Sequence, residues 1–177
     1  ANTKIMAYEA GKYRFFGETL DIGVRNFIDT FARYIGLGFP RGPKVQKLAE
    51  ESNGNLIEIP YSIKGMDVAF SGIQTKLRQL YDKGEKKEDL AYSLQEIIFS
   101  MLVEASERAL AHTGKKELLL GGGVACNSRL QEMCKKMCEE RGVRYFCPGF
   151  EFLVDNAGMI GFLGLKMYKA GLAEKEI

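Results

Sequence analysis

The residues best suited to chemistry lie in a few short stretches. In ELLLGGGVACNSRLQEM, residues 117–133, three leucines run into Gly121, Gly122 and Gly123, and a helical pattern starts at Asn127. Glycines are costly to order and bring no side chain to pack, so the run asks what comes close to that backbone. Backbone without Cβ atoms lets a nucleotide lie almost on the chain. The N–H groups of the following helix offer partial positive charge to phosphates. Asn127 either caps that helix or turns outward to ribose or phosphate oxygens. The stretch has neither the Gly-Lys-Ser/Thr of a Walker loop nor a full Gly-x-Gly-x-x-Gly fingerprint, which leaves nucleotide binding and a merely tight turn both open.

A second stretch is FEFLVDNAGMIG, where Asp155 precedes an apolar helical pattern. It reads as an N-cap with Asn156 in the first turn, or as a carboxylate at a strand-end cleft able to hold a divalent cation. Asp29 lies between Arg25 and Arg33 at four-residue spacing, which suits an ion-pair ladder on a helix surface. The sole histidine, His112, falls in the last turn of a long helix, where it complements the helix dipole. Cys126, Cys134, Cys138 and Cys147 all lie in the last third of the chain. Their spacings and the lack of histidine partners fit buried reduced thiols better than a zinc site.

Several elements must position these residues. TKIMAYEAGKYRFFGETL reads as two strands joined at Ala10-Gly11-Lys12. DIGVRNFIDTFARYIG follows as a helix with Val24, Phe27, Ile28, Phe31 and Ile35 on one stripe. Residues 37–43 read as a loop, KVQKLAEES as a short helix, NLIEIPYS and MDVAFSG as strands, and DKGEKKED as a solvated connection. The longest element covers residues 88–113, with Leu90, Leu94, Ile97, Ile98, Met101, Leu102, Ala105 and Ala109 on its buried face and Gly114 at its end. Strand 117–120, helix 127–141, strand 143–147 and helix 155–170 close the chain, an order that implies parallel strands. The class is α/β, and its ligands belong beyond the carboxyl ends of the strands.

Bulk properties set wide limits. The chain has 177 residues, 46% hydrophobic and 27% charged, which is enough for one packed domain or one lobe. A net charge of +2 neither requires nor excludes a nucleic-acid partner. No apolar run approaches the roughly 20 residues of a membrane span, nothing at the start reads as a signal peptide, and the cysteines suggest no secreted framework, so a cytoplasmic location without membrane contact is expected. Residues 1–8 enter a strand pattern with no lead-in, and the native chain is expected to begin earlier.

GGVACNSRLQEM, VDNAGMIG, GETLDIGVRNFIDTFAR and YSIKGMDVAFSG together resemble the universal tRNA threonylcarbamoyladenosine transferase family. The wording KGMDVAFSG is closer to its archaeal and eukaryotic branch, whose members sit in KEOPS-type complexes. The resemblance implies an actin-like ATPase fold of two ribonuclease H-like lobes, each a mixed sheet flanked by helices. It implies transfer of threonylcarbamoyl from threonylcarbamoyl-AMP to N6 of the adenosine 3′ of the anticodon. ATP and one divalent metal would sit between the lobes, iron first, with zinc or magnesium as alternatives. The implied partners are tRNA and KEOPS-type subunits, among them a small kinase and a dimerising adaptor.

Carried onto this sequence, the resemblance assigns Ala1, Asn2 and Thr3 to the end of a phosphate turn. Asp29, Gly42, Gln46, Gly122, Gly123 and Asn127 fall to nucleotide or substrate contact, and Asp155 to the metal. There are departures. Ala1 replaces a glycine, Gln46 a glutamate, and Leu153 and Val154 smaller or polar residues. The family's His-x-x-x-His metal motif and the strand before the first turn are missing. The expected organisation is therefore the C-terminal lobe of a two-lobed protein over residues 1–177, inactive alone, with a diverged relative as the other reading.

No side chain stands out as a general base. Lys83, Lys86, Lys87, Lys135, Lys136, Arg141 and Arg144 are candidates for RNA contact. A small-molecule kinase of the same superfold and a non-catalytic nucleotide-binding scaffold are the rival classes; an endopeptidase is disfavoured by the missing histidine pair.

Overall fold

A computed structural model describes residues 2–172. Strands β1 (Lys4–Glu9) and β2 (Lys12–Glu18) form a hairpin in which Tyr8 pairs with Tyr13 and Glu9 with Lys12. The turn is Ala10 at φ 50° and Gly11 at φ 79°, the two positive values that match the twist of paired strands. Helices α1 (Val24–Tyr34) and α2 (Arg41–Glu50) follow, then a two-residue pair β3 (Ile63–Lys64) and β4 (Asp67–Val68), helix α3 (Ser71–Asp82) and the 27-residue helix α4 (Lys87–Thr113). The chain closes with β5 (Glu117–Leu119), a 3-10 turn (Gly123–Cys126), α5 (Ser128–Arg141), β6 (Arg144–Phe146), the short α6 (Phe150–Leu153) and α7 (Ala157–Lys169).

The core lies among α1, α2, α3 and α4. The whole expected stripe of α1, Val24 through Ile35, is buried, and Phe27 stacks tilted on Phe70 with ring centroids 5.5 Å apart. On α4, Leu90, Leu94, Ile98, Met101, Leu102, Ala105 and Ala109 are buried as the pattern requires; Ile97 is half-buried, and Ala91 and Phe99 are buried as well, because helices press on α4 from more than one side. Gly17 has a packing reason. A Cβ there would lie 2.2 Å from the carbonyl oxygen of Met66, so β2 can approach the β3–β4 turn only without a side chain.

The strands do not merge into one mixed sheet. Among the described residues they form three two-stranded pairs, β1–β2 and β3–β4 antiparallel and β5–β6 parallel. The parallel ending is as the element order requires, with Leu118 opposite Tyr145. One edge each of β1 and β5 has no strand partner, and Lys115 reaches Glu9 at 3.2 Å between them. α7 is apolar yet has no buried residue; Ile160, Phe162 and Leu163 are each more than half exposed.

Four local expectations are corrected. The loop expected at 37–43 gives way to α2 at Arg41, because Gly42 and Pro43 sit in the first turn, where a missing N–H costs nothing. NLIEIPYS is not a strand: α4 side chains hold it, with the Ile57 backbone N–H donating to Ser93 Oγ at 2.8 Å and the Asn55 side-chain Nδ2 to Asp89 Oδ2 at 3.0 Å. Asp89 is accordingly buried rather than solvated, and the donors Ser52 and Asn55 hold its carboxyl below the usual aspartate range. The strand expected over 66–72 shrinks to Asp67–Val68 because α3 begins at Ser71.

The cap of α3 explains why its start is silent in the local sequence. It comes from Asp21, fifty residues away, whose carboxylate accepts from Phe70 N–H at 2.9 Å, Ser71 N–H at 2.8 Å and Ser71 Oγ at 2.6 Å. Partial burial pushes the Asp21 carboxyl up, but these bonds to the charged form outweigh it and the net shift is downward. Asp21→Ala should therefore destabilise the polypeptide by about 1 kcal/mol at neutral pH. A depressed native pKa adds stability above the ordinary aspartate value of 3.8 and loses it below. Urea melts of both proteins should show a gap that is full at neutral pH and closes on acidification; a gap independent of pH would refute this role.

Candidate functional site

The glycine run leaves the end of β5. Leu120 N–H still donates to Phe146 O at 3.0 Å, and then the chain swings out of the ladder. Gly122 has φ 85° and ψ 164°, a conformation open essentially to glycine alone. Gly121 and Gly123 are different. Neither has a positive φ, and a Cβ on either would meet no protein atom within 4 Å. Nothing inside the described residues demands glycine at those two positions. The amides of Gly121, Gly122 and Gly123 also have no backbone acceptor among the described residues. The turn is a bare, outward-facing cradle.

Asn127 joins the 3-10 turn to α5 and is its N-cap. Its Oδ1 accepts from Arg129 N–H at 2.9 Å and Leu130 N–H at 3.2 Å, and its Nδ2 donates to Gln95 Oε1 on α4 at 2.8 Å. The side chain thus holds α5 rather than reaching outward, and the N–H groups of Ser128 and the glycines remain for an anion. Next to it, Arg129 makes a two-pronged pair with Glu96 at 2.7 and 2.8 Å, and a further bond to Glu132 at 2.7 Å. These carboxylates raise the affinity of the guanidinium for its proton.

Gly42 and Gln46 stand one helical turn apart on α2, which packs on α1 and α4. Gln46 Nε2 donates to Ser128 Oγ at 2.8 Å and to Glu50 Oε1 at 3.1 Å. The structure therefore brings Gln46 directly to the first residue of α5. A Cβ on Gly42 would meet nothing within 4 Å, so that surface too is open.

Asn2 and Asp29 line one concavity of about 340 Å³ together with Asp21, Gly23, Arg25 and Asn26. Asp29 pairs with Arg25 only at the 4.0 Å limit, and no pair to Arg33 forms among the described residues, so the expected ladder has a single weak rung. Thr3 serves the fold: its Oγ1 accepts from Val24 N–H at 3.3 Å, at the start of α1, where Gly23 has no side chain to cap. Ala1 lies outside the described residues.

Asp155 is not the cap of α7. Asn156 is, with Oδ1 accepting from Met159 N–H at 2.9 Å. Asp155 is left exposed without a hydrogen bond or ion pair to the described residues, just after α6, which packs against the 3-10 turn. Among those residues no three His, Cys, Asp or Glu side chains gather to hold a metal ion. One carboxylate does not make such a site.

The cysteines are unlike ligands. Cys134 and Cys138 are buried, Cys126 and Cys147 half-buried, and burial with neighbouring thiols pushes Cys134 up to about 12; only a thiolate binds metal well. His112 lies 17 residues beyond Gln95 on α4, about 25 Å along the helix, with its ring near Phe16. Of the basic residues, Arg141 is paired with Glu107, Arg144 with Glu117 and Lys135 with Glu139, while Lys87 donates to Ile35 O.

Three contributors, Gln95, Glu96 and Ser128, escape a reading of the local sequence. Gln95 and Glu96 look like polar interruptions between Leu94 and Ile97. A buried amide in an apolar stripe was the available signal, since such a group requires a partner.

Comparison with known proteins settles the family. Residues 1–162 match the family model TsaD, tRNA N6-adenosine threonylcarbamoyltransferase. The chain belongs to this family of tRNA-modifying transferases. A tRNA N6-adenosine threonylcarbamoyltransferase of Thermococcus sibiricus is 56% identical over 172 residues, covering 97% of this chain and 53% of that protein. A probable bifunctional tRNA threonylcarbamoyladenosine biosynthesis protein of Methanocaldococcus jannaschii is 54% identical over 170 residues, 96% of this chain and 32% of that protein. The chain thus spans about half the length of the Thermococcus relatives.

Among solved structures, HypF of T. kodakarensis superposes with a TM-score of 0.66 at 21% identity, over 87% of this chain and 21% of that one. Full-length HypF in a phosphate- and nucleotide-bound form gives 0.60 at 17% identity, over 75% of this chain and 18% of that one. These likenesses speak to the fold, and with the family they place the chain in the actin-like, ribonuclease H-like class. No helix among the described residues is long and apolar enough to cross a membrane.

The geometry sets a stability test at Asn127. Asn127→Ala removes the cap of α5 and strands the buried Gln95 Oε1, at a cost of about 1–3 kcal/mol. Asn127→Asp keeps the cap and lets the Gln95 amide turn over to donate, so it should cost clearly less. Equal losses in denaturant melts would show that neither the retained cap nor a turned-over Gln95 amide stabilises the Asp variant, and would overturn this account.

Proposed function

We propose that this chain is the C-terminal, nucleotide-holding lobe of a threonylcarbamoyl transferase that modifies N6 of the adenosine 3′ of the tRNA anticodon. The carrying observation is the glycine turn: among the described residues Gly121 and Gly123 have no packing reason to be glycine, and the amides of Gly121, Gly122 and Gly123 have no backbone acceptor. Such a cradle suits the phosphates of ATP or of threonylcarbamoyl-AMP, with the α5 N-terminus adding its dipole. Gln46 and Gly42 would form the neighbouring wall toward the nucleoside, and Asn2 and Asp29, which line the concavity at the start of α1, would supply further contacts.

The reaction asks for placement above all. An exocyclic amine of adenine is a weak nucleophile, and fixing the activated carbonyl against it supplies much of the acceleration. This chain's part is to hold the adenylate still and to present open N–H groups where phosphate charge must be borne. Asp155, free of capping duty, would be one ligand of a divalent ion, with iron as the first candidate and zinc or magnesium as alternatives; the other ligands would come from outside this chain. The intact protein would work in the cytoplasm with tRNA and KEOPS-type subunits. The lobe reading also accounts for the free edges of β1 and β5 and for the uncovered apolar side of α7, which call for a strand and further surface from the rest of the polypeptide.

Gly123→Ala separates ligand binding from folding. The added methyl meets open space, so the melting temperature should stay within about 2 °C, since surface changes of this kind fall inside roughly 0.5 kcal/mol. ATP affinity, measured by calorimetry on the polypeptide that carries this chain, should fall about tenfold or more, a loss of roughly 1.4 kcal/mol. Unchanged affinity would remove the turn from the nucleotide site. Tight ATP binding by the wild type with no transfer to tRNA would instead favour a scaffold.

A further inference from the structure

Three polar side chains are buried on α4: Asp89, Ser93 and Gln95. The first two are accounted for, because they hold residues 52–57 against the helix. Gln95, 6% exposed, has one hydrogen-bond partner among the described residues, the Nδ2 of Asn127. We propose that Gln95 is a positioning residue for the nucleotide site, acting through the orientation of the Asn127 amide. The inference rests on the nucleotide reading of the glycine turn.

The physical reason lies in the ambiguity of an amide. The oxygen and nitrogen ends of Asn and Gln have the same shape and opposite hydrogen-bonding sense. Of the four ways the Gln95 and Asn127 amides can face each other, only one gives Arg129 N–H and Leu130 N–H an acceptor without setting donor against donor. That arrangement is the one observed: Gln95 Oε1 takes the Asn127 Nδ2 proton, and Asn127 Oδ1 turns to α5. Burial sharpens the choice, since an unmatched pair has little water to relieve it.

The next residue on α4 repeats the grip, with Glu96 holding Arg129 by two bonds. Consecutive residues of one core helix therefore clamp positions 127 and 129 on either side of Ser128. The open N–H groups of Ser128 and of Gly121 to Gly123 inherit their aim from that clamp. Without Gln95 the Asn127 side chain can rotate, the cap loosens, and the cradle samples orientations in which its amides do not converge on one anion.

The test uses ATP as the probe and the polypeptide that carries this chain. Gln95→Leu keeps the volume and removes the acceptor; its ATP dissociation constant should rise about tenfold, the scale of one lost buried hydrogen bond. Gln95→Glu keeps an acceptor facing Nδ2 and should restore binding to within about twofold of wild type, a rescue that a loss through general loosening of the core would not produce. In an Asn127→Ala background, Gln95→Leu should cause no further loss, because its effect runs through the missing side chain.

Equal affinities for wild type and Gln95→Leu overturn the proposal, and so does a Gln95→Leu loss that persists in full in the Asn127→Ala background. If Gln95→Leu fails to fold, Gln95→Met takes its place with the same expectations. A wild type that does not bind ATP at all overturns the nucleotide reading and this inference with it, an outcome distinct from the other two.

Discussion

α4 is the member on which everything else hangs, and the constraint it satisfies is an uncommon one. A helix pressed from several sides buries most residues along its middle, and a helix so placed ordinarily carries mainly apolar side chains. α4 carries Asp89, Ser93 and Gln95 as well, and each is buried with its partners present. Buried polar groups are expensive unless matched. Their partners are therefore held in place as firmly as the core itself. The irregular segment 55–62 is tied to α4 through Asn55 and Ile57, and α5 begins where Gln95 and Glu96 fix it.

That arrangement gives the glycine turn its character. Gly121 to Gly123 are flexible by composition, yet the elements on both sides are anchored: β5 in its parallel pair with β6, and α5 by the clamp from α4. Flexibility at the point of contact and rigidity immediately beyond it let a backbone approach a ligand closely without losing its aim. Gln46 adds a third support, reaching from α2 to Ser128. Four separate parts of the sequence thus meet around one helix start.

The open features of the fold are the ones the lobe reading proposed above would explain together. β1 and β5 leave edges free, α7 shows its apolar side, and the chain covers about half of its Thermococcus relatives. Strand edges and apolar helices are liabilities when uncovered. On the lobe reading proposed above, both would be covered by the rest of a larger molecule.

The sequence by itself determined the periodic elements and the position of the turn. The stripe from Val24 to Ile35, the long face of α4, the αL ending at Gly114 and the parallel pair around α5 follow from spacing alone, since each is a local pattern of apolar residues and stop signals. Gly121 to Gly123 before Asn127 marked a strand end facing a helix start. Tertiary structure alone decided how those residues are used. α3 begins at Ser71 because Asp21 caps it across fifty residues, and no local signal can carry that. Asn156, not Asp155, caps α7, a choice between adjacent residues that only backbone geometry makes. Asn127 faces inward because Gln95, far away in sequence, offers it a buried acceptor. Hydrophobic periodicity is written along the chain, but the partner of a polar side chain exists only once distant segments have been brought together.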